Sequence, residues 1–125
     1  MAKFIVDANI IVEVLRGNGE LASFVKSLDS AIDTTIYVEL IQGAKNKIEV
    51  ARIERSIKQF PLLHFSESIS LLTIDLIRRY SKSHGLMFGD AVIAATCLEH
   101  QIGLVTFNAK DFRFIEGLRL NIPKL

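Results

Sequence analysis

A single cysteine in 125 residues, Cys97, rules out an intrachain disulfide, and a reducing cytoplasm is the expected setting. Cys97 lies among Ala94, Ala95, Thr96 and Leu98 and reads as inert core packing, not as a reactive thiol. Proline occurs only at Pro61 and Pro123, and no repeat, low-complexity stretch or linker divides the chain. One domain over residues 1–125 is therefore expected, long enough for a real core. No apolar run approaches the roughly 20 residues that span a bilayer, and the N-terminus leads into a strand pattern instead of a signal peptide. The net charge is only +1, which excludes a generically basic nucleic-acid binder; any attraction for phosphate must come from local patches or a bound metal. There is no Gly-rich phosphate loop, dinucleotide fingerprint or GxSxG elbow.

Half of the residues are hydrophobic and the mean hydropathy is +0.33, high for a small chain. Two readings account for this: an extra apolar face for a partner or second copy, and a parallel sheet apolar on both sides. The two are compatible. Strand patterns at Phe4–Val6, Ala31–Asp33, Leu62–Phe65, Gly103–Thr106 and Leu118–Ile122 alternate with helical patterns. The helices are expected from Asn9 to Arg16, from Glu20 to Leu28, up to Gly43 after a Thr34 or Thr35 cap, and over Lys47–Phe60. A long one follows the Ser66 cap to about Ser83, and a last one opens at Asp90 and closes near Gln101. Such alternation implies a parallel α/β sheet whose ligand crevice lies beyond the carboxyl ends of the strands.

Four isolated acids sit inside or beside these apolar segments: Asp7, Glu39, Asp90 and Asp111. Burying a lone carboxylate is costly unless something compensates it, and no Lys or Arg adjoins Asp7 or Asp90 in sequence. If the fold gathers the acids, their repulsion makes a divalent cation the natural partner. Each also has a plain structural role. Asp7 can cap a helix, Asp90 can complement a helix dipole, and a helical Glu39 is ordinarily solvated. Against the last, Ile36 to Ile41 is almost wholly apolar, so this helix is expected to be mostly buried with Glu39 pointing into a cleft. Asn9, Thr106 and Asn108 are candidates to orient a carboxylate or a phosphate. His64, His84 and His100 show no metal-ligand spacing and are read as structural. Basic residues gather at Lys45, Lys47, Arg52, Arg55 and Lys58, and again at Arg78, Arg79 and Lys82; solvated helix faces are the commoner meaning of such runs.

Four segments taken together, Phe4–Asn9, Thr35–Ala44, Gly89–Ala95 and Leu104–Phe112, resemble a PIN domain, and more narrowly the VapC-type toxins of prokaryotic toxin–antitoxin pairs. The resemblance covers essentially the whole chain. It implies a three-layer α/β/α sandwich around a central, mainly parallel sheet. It also implies an endoribonuclease needing Mg²⁺ or Mn²⁺, a homodimer, and a VapB-like antitoxin that blocks the active site with a C-terminal segment. It carries over Asp7, Glu39 and Asp90 as catalytic acids, with Asp111 added to them as a metal ligand. Asn108 stands where the family often has an Asp, so a second metal is either weakly held or completed by Asp111, water and substrate. Hard oxygen donors without a Cys or His set suit Mg²⁺ or Mn²⁺ better than Zn²⁺.

Two other readings compete. A phosphoacceptor receiver domain would share the length, the parallel sheet and Mg²⁺, but it needs an acid pair after the first strand, and Asp7 has no acidic neighbour. A non-catalytic PIN-like module would use the same cleft to hold RNA or a partner; Asn108 is its best support.

Overall fold

The structure is a computed structural model and describes residues 2–124. Among these the chain forms five strands, β1 (Phe4–Val6), β2 (Ser30–Asp33), β3 (Leu62–Leu63), β4 (Gly103–Val105) and β5 (Leu120–Asn121). Six α-helices alternate with them: α1 (Ala8–Leu15), α2 (Gly19–Ser27), α3 (Thr34–Gln42), α4 (Lys47–Ile57), α5 (Glu67–His84) and α6 (Phe88–His100). The strands lie in the order β3-β2-β1-β4-β5 and every pairing is parallel. Helices flank this sheet, with α5 along α6, α1 against α2 and α3, and α3 against α4 and α6. The expected α/β/α sandwich is thus present, with a sheet that is parallel throughout.

The central strand is short and apolar because both of its faces are covered. Ile5 and Val6 are fully buried, as are Leu104 and Val105 on β4. Residue identity at one point is set by a cross-strand contact: Gly103 pairs with Phe4, and a Cβ on Gly103 would stand 2.8 Å from the Phe4 ring. Helix α6 is the buried helix of the molecule, with every residue from Ala91 to Cys97 inaccessible to solvent. Its run of alanines lets it lie close to its neighbours, and it ends on Gln101 in the left-handed region (φ 57°). The Ser66 cap of α5 is as expected, its Oγ accepting from Ile69 N at 3.2 Å. Gly85, with φ 71°, closes that helix, a conformation a residue without Cβ adopts at little cost.

Several expectations need correction. Helix α3 is capped by Asp33, whose Oδ1 accepts from Ile36 N at 2.9 Å, and not by Thr34 or Thr35. Asp competes well at an N-cap, and here it is the last residue of a strand. Nor is α3 mostly buried: Ile36 and Leu40 face the core, while Val38 is 45% exposed and Glu39 is solvent-accessible. Asp90 does not open α6 but is the third residue of its first turn, behind Met87. Strand β3 stops at Leu63, leaving Phe65 exposed, and Ile48 on α4 is exposed as well.

The close approach of Gly103 to Phe4 yields a direct test. Gly103→Val should destabilise the protein by about 1–3 kcal/mol through overpacking, read as a lower thermal midpoint. Adding Phe4→Leu should recover part of the loss. A midpoint unchanged by Gly103→Val would show that this contact does not constrain the sheet.

Candidate active site

The sheet register builds the site. Phe4 pairs with both Ser30 and Gly103, and Ile5 with both Ala31 and Leu104. Carried to the strand ends, the same register sets Asp33, Asp7 and Thr106 level on three adjacent strands. All three are buried. Asp7 caps α1, its Oδ1 accepting from Ala8 N at 2.8 Å. Its Oδ2 accepts from Thr106 Oγ1 at 2.7 Å and from Asn9 Nδ2 at 3.5 Å. Thr106 in turn accepts from Asn9 Nδ2 at 3.3 Å and from the backbone N–H of Asn108 at 3.1 Å, and Phe107 N donates to Asn9 Oδ1 at 3.4 Å. Asn9 and Thr106 therefore do orient Asp7. Asn108 joins the same network through its backbone.

The remaining acids come from three other elements and act on one another. Burial first, then the charge of Asp7 and then that of Asp111, raises Asp90 to about 6. Glu39 is raised by burial and by the charges of Asp7, Asp90 and Asp33. Asp7 itself is raised by burial and, more weakly, by Asp111, against the lowering effect of its hydrogen bonds to Thr106 and Ala8. Asp111, in the single turn Ala109–Asp111 after β4, thus reaches both Asp7 and Asp90 electrostatically. A Cβ on Gly89 would stand 3.6 Å from Glu39 Oε1, so the first turn of α6 lies directly against that carboxylate.

Among the described residues none of these acids is in an ion pair. The ion pairs among the described residues are Arg16–Glu13, Arg79–Asp75 and Arg79–Glu116, all on the surface. The acids gather around Asp7 without converging. Among the described residues no three His, Cys, Asp or Glu side chains stand close enough, as arranged, to hold an ion together. The donor set nevertheless fits a hard divalent cation. It is all oxygen, it is negatively charged without compensation, and Asp7 is already oriented.

The model of the PIN domain family matches residues 4–117. The chain belongs to the PIN domain family. A ribonuclease VapC10 of Mycobacterium tuberculosis is 31% identical over 120 residues, covering 92% of this chain and 90% of that protein. Among solved structures, the VapBC-1 complex of nontypeable Haemophilus influenzae matches at 25% identity over 95% of this chain and 96% of its own, with a TM-score of 0.81. The DNA-bound VapBC2 structure from Rickettsia felis superposes with a TM-score of 0.83 over 97% of this chain and 98% of its own at 21% identity, a likeness of fold.

In this PIN domain the residue that sequence reasoning missed is Asp33. It is fully buried, and burial together with the charge of Asp7 raises it to about 6, against the lowering effect of Ile36 N–H and the Thr35 hydroxyl. The signal was available, since Asp33 ends its strand pattern as Asp7 ends its own. Of the histidines, His84 stacks on Phe114 with ring centroids 4.4 Å apart and touches Tyr80 edge-on, a structural contact on the outer end of α5.

Both Asp33 and Asp90 sit at about 6 in the fold, above the ordinary carboxylate value of 3.8. Folding therefore binds protons between about pH 4 and 6, and the stability lost to these ionised acids above pH 6 returns as the pH falls. For Asp33 the effect is roughly 3 kcal/mol. In EDTA the thermal midpoint should rise as the pH is lowered from about 7 to 5, and rise less in Asp33→Asn. A wild-type midpoint that falls monotonically over this range, in step with Asp33→Asn, would contradict the electrostatics described.

Proposed function

We propose that this chain, acting as one PIN domain, is a Mg²⁺- or Mn²⁺-dependent endoribonuclease, the VapC-like toxin of a toxin–antitoxin pair working in the cytoplasm. The observation that carries this reading is the gathering of Asp7, Glu39, Asp90 and Asp111, from four separate elements, around the end of the central strand, none of them in an ion pair among the described residues. Asp7, Asp90, Glu39 and Asp111 would hold the cation. When bound, the ion supplies Lewis acidity to a phosphoryl oxygen and makes a water nucleophilic near neutral pH. The chain's own residues do the rest. Thr106 and Asn9 fix the Asp7 carboxylate, and the first turn of α6 at Gly89 packs against Glu39. Arg16 and Arg52 line a cleft of about 370 Å³ that also contains Glu39, and they can engage the flanking backbone phosphates.

The absence of Asp at position 108 favours no loss of activity, because Asp111 supplies charge to both Asp7 and Asp90. A receiver-type phosphoacceptor is disfavoured, since Asp7 is committed to a helix cap and a threonine rather than to an acidic neighbour in sequence.

The antitoxin would seat an apolar segment in the groove of about 240 Å³ between α1, α2 and α4, lined by Ile11, Val14, Leu15, Val25 and Phe60. Leu15 borders both this groove and the cleft of Glu39 and Arg52, so a chain laid along the first can end in the second. A second copy would cover the face where α5 meets the start of α6. There Phe65, Leu71, Ile74, Met87 and Phe88 are between 48% and 72% exposed, a hydrophobic cluster that a monomer in water would leave uncovered. Ile74→Asp should convert the dimer to a monomer on light scattering coupled to size exclusion; an unchanged mass would place the dimer contact elsewhere.

Purified protein freed of inhibitor should cut a mixed RNA pool with Mg²⁺ or Mn²⁺ and not with EDTA. Asp90→Asn should lower the rate by at least about 100-fold while leaving the fold intact, the scale expected when a transition-state charge is lost. Cleavage by Asp90→Asn at the wild-type rate would refute the assignment. A folded protein inert with every metal would favour the binding module.

A further inference from the structure

Asp33 has more charge than its structural role requires. As the cap of α3 it uses one oxygen, Oδ1, bonded to Ile36 N at 2.9 Å. Ser, Thr or Asn would fill that role without bringing a carboxylate into the core. The other oxygen, Oδ2, accepts no hydrogen bond within 3.5 Å, on a side chain with no accessible surface, and only the nearby Thr35 hydroxyl eases its charge. Leaving a buried carboxylate oxygen unsatisfied costs far more than capping returns. No ion pair among the described residues involves it.

What lies beside Asp33 explains the excess. The register of β1 and β2 sets Asp33 level with Asp7; the charge of Asp7 bears on Asp33, and that of Asp33 bears on Glu39. In the metal-free protein these contacts are all repulsive. A divalent cation at Asp7 would attract each of these carboxylates and outweigh that repulsion. We propose that Asp33 is a positioning residue of the metal centre, its free Oδ2 and negative charge strengthening the hold of Asp7 and Glu39 on a divalent cation from beneath the site. This rests on the reading of the acids as a metal site and adds to it a fifth carboxylate that the four-acid set does not contain. Groups that support metal ligands from behind commonly change affinity by about 10–100-fold when removed.

The test is Mn²⁺ binding by isothermal titration calorimetry to the full chain without RNA, for wild type, Asp33→Asn, Asp33→Ser and Asp90→Asn. Both Asp33 variants keep a capping oxygen for Ile36 N. Each should bind Mn²⁺ about tenfold more weakly than wild type, while the metal-free thermal midpoint at about pH 7 stays level or rises. If one of the two fails to fold, the other carries the measurement, since both remove the charge and keep the cap. Affinity within about twofold of wild type in the Asp33 variants, with binding lost in Asp90→Asn, would overturn the role of Asp33 and leave the metal site standing. No Mn²⁺ binding by wild type would overturn both.

Discussion

Carboxylates held side by side at the ends of parallel strands, none of them in an ion pair among the described residues, are the constraint around which this molecule is organised. Three adjacent strands in register, β2, β1 and β4, end level with one another and present Asp33, Asp7 and Thr106 as neighbours. Thr106 satisfies one oxygen of Asp7, Ala8 N the other, and Asn9 braces both Asp7 and Thr106. The acids of α3, α6 and the turn after β4 then add like charge to a site already partly removed from water. Burial and repulsion act in the same direction on Asp7, Glu39, Asp33 and Asp90, so each holds its proton more tightly than an exposed carboxyl would. Such an arrangement costs stability and is tolerated where a cation is to be bound.

The rest of the fold serves this placement. A parallel sheet must be covered on both faces, so β1 and β4 are apolar to their last residue and the first polar groups appear where the strands end. Helix α6 is buried from Ala91 to Cys97, with small residues at Ala91, Ala94 and Ala95, and its first turn brings Gly89 up to Glu39 on α3. The surface outside the site is divided by chemistry. An apolar groove runs between α1, α2 and α4, an exposed hydrophobic face spans α5 and the start of α6, and arginines border the acidic cleft. The high mean hydropathy therefore has both of its expected sources, a doubly covered sheet and uncovered apolar surface.

Where the sequence reading erred, the errors share a cause. The cap of α3 was sought in threonines because Asp33 read as the end of a strand, and an aspartate can be both. The burial of α3 was overestimated from its apolar composition, yet Val38 is exposed and Glu39 borders an open cleft because α3 meets the core on one side only. Asp90 was placed at the opening of its helix when the first turn begins two residues earlier. Periodicity identifies elements well and their ends poorly, and it says nothing of which face finds a neighbour.

By itself, the sequence determined the alternation of strands and helices, the parallel sheet, the absence of disulfides and the four acids at element ends, since these follow from local patterning and residue chemistry. It also carried the resemblance to PIN domains, because motifs in a fixed order survive in the chain. Only the tertiary structure decided which acids share an environment. Strand order and register are long-range pairings, and they alone bring Asp33 beside Asp7 from 26 residues away and Thr106 onto Asp7 from 99 residues away. Burial, and with it the raised proton affinity of each carboxyl, is likewise a property of the packed layers: no residue carries it until α3, α6 and the sheet close around the strand ends.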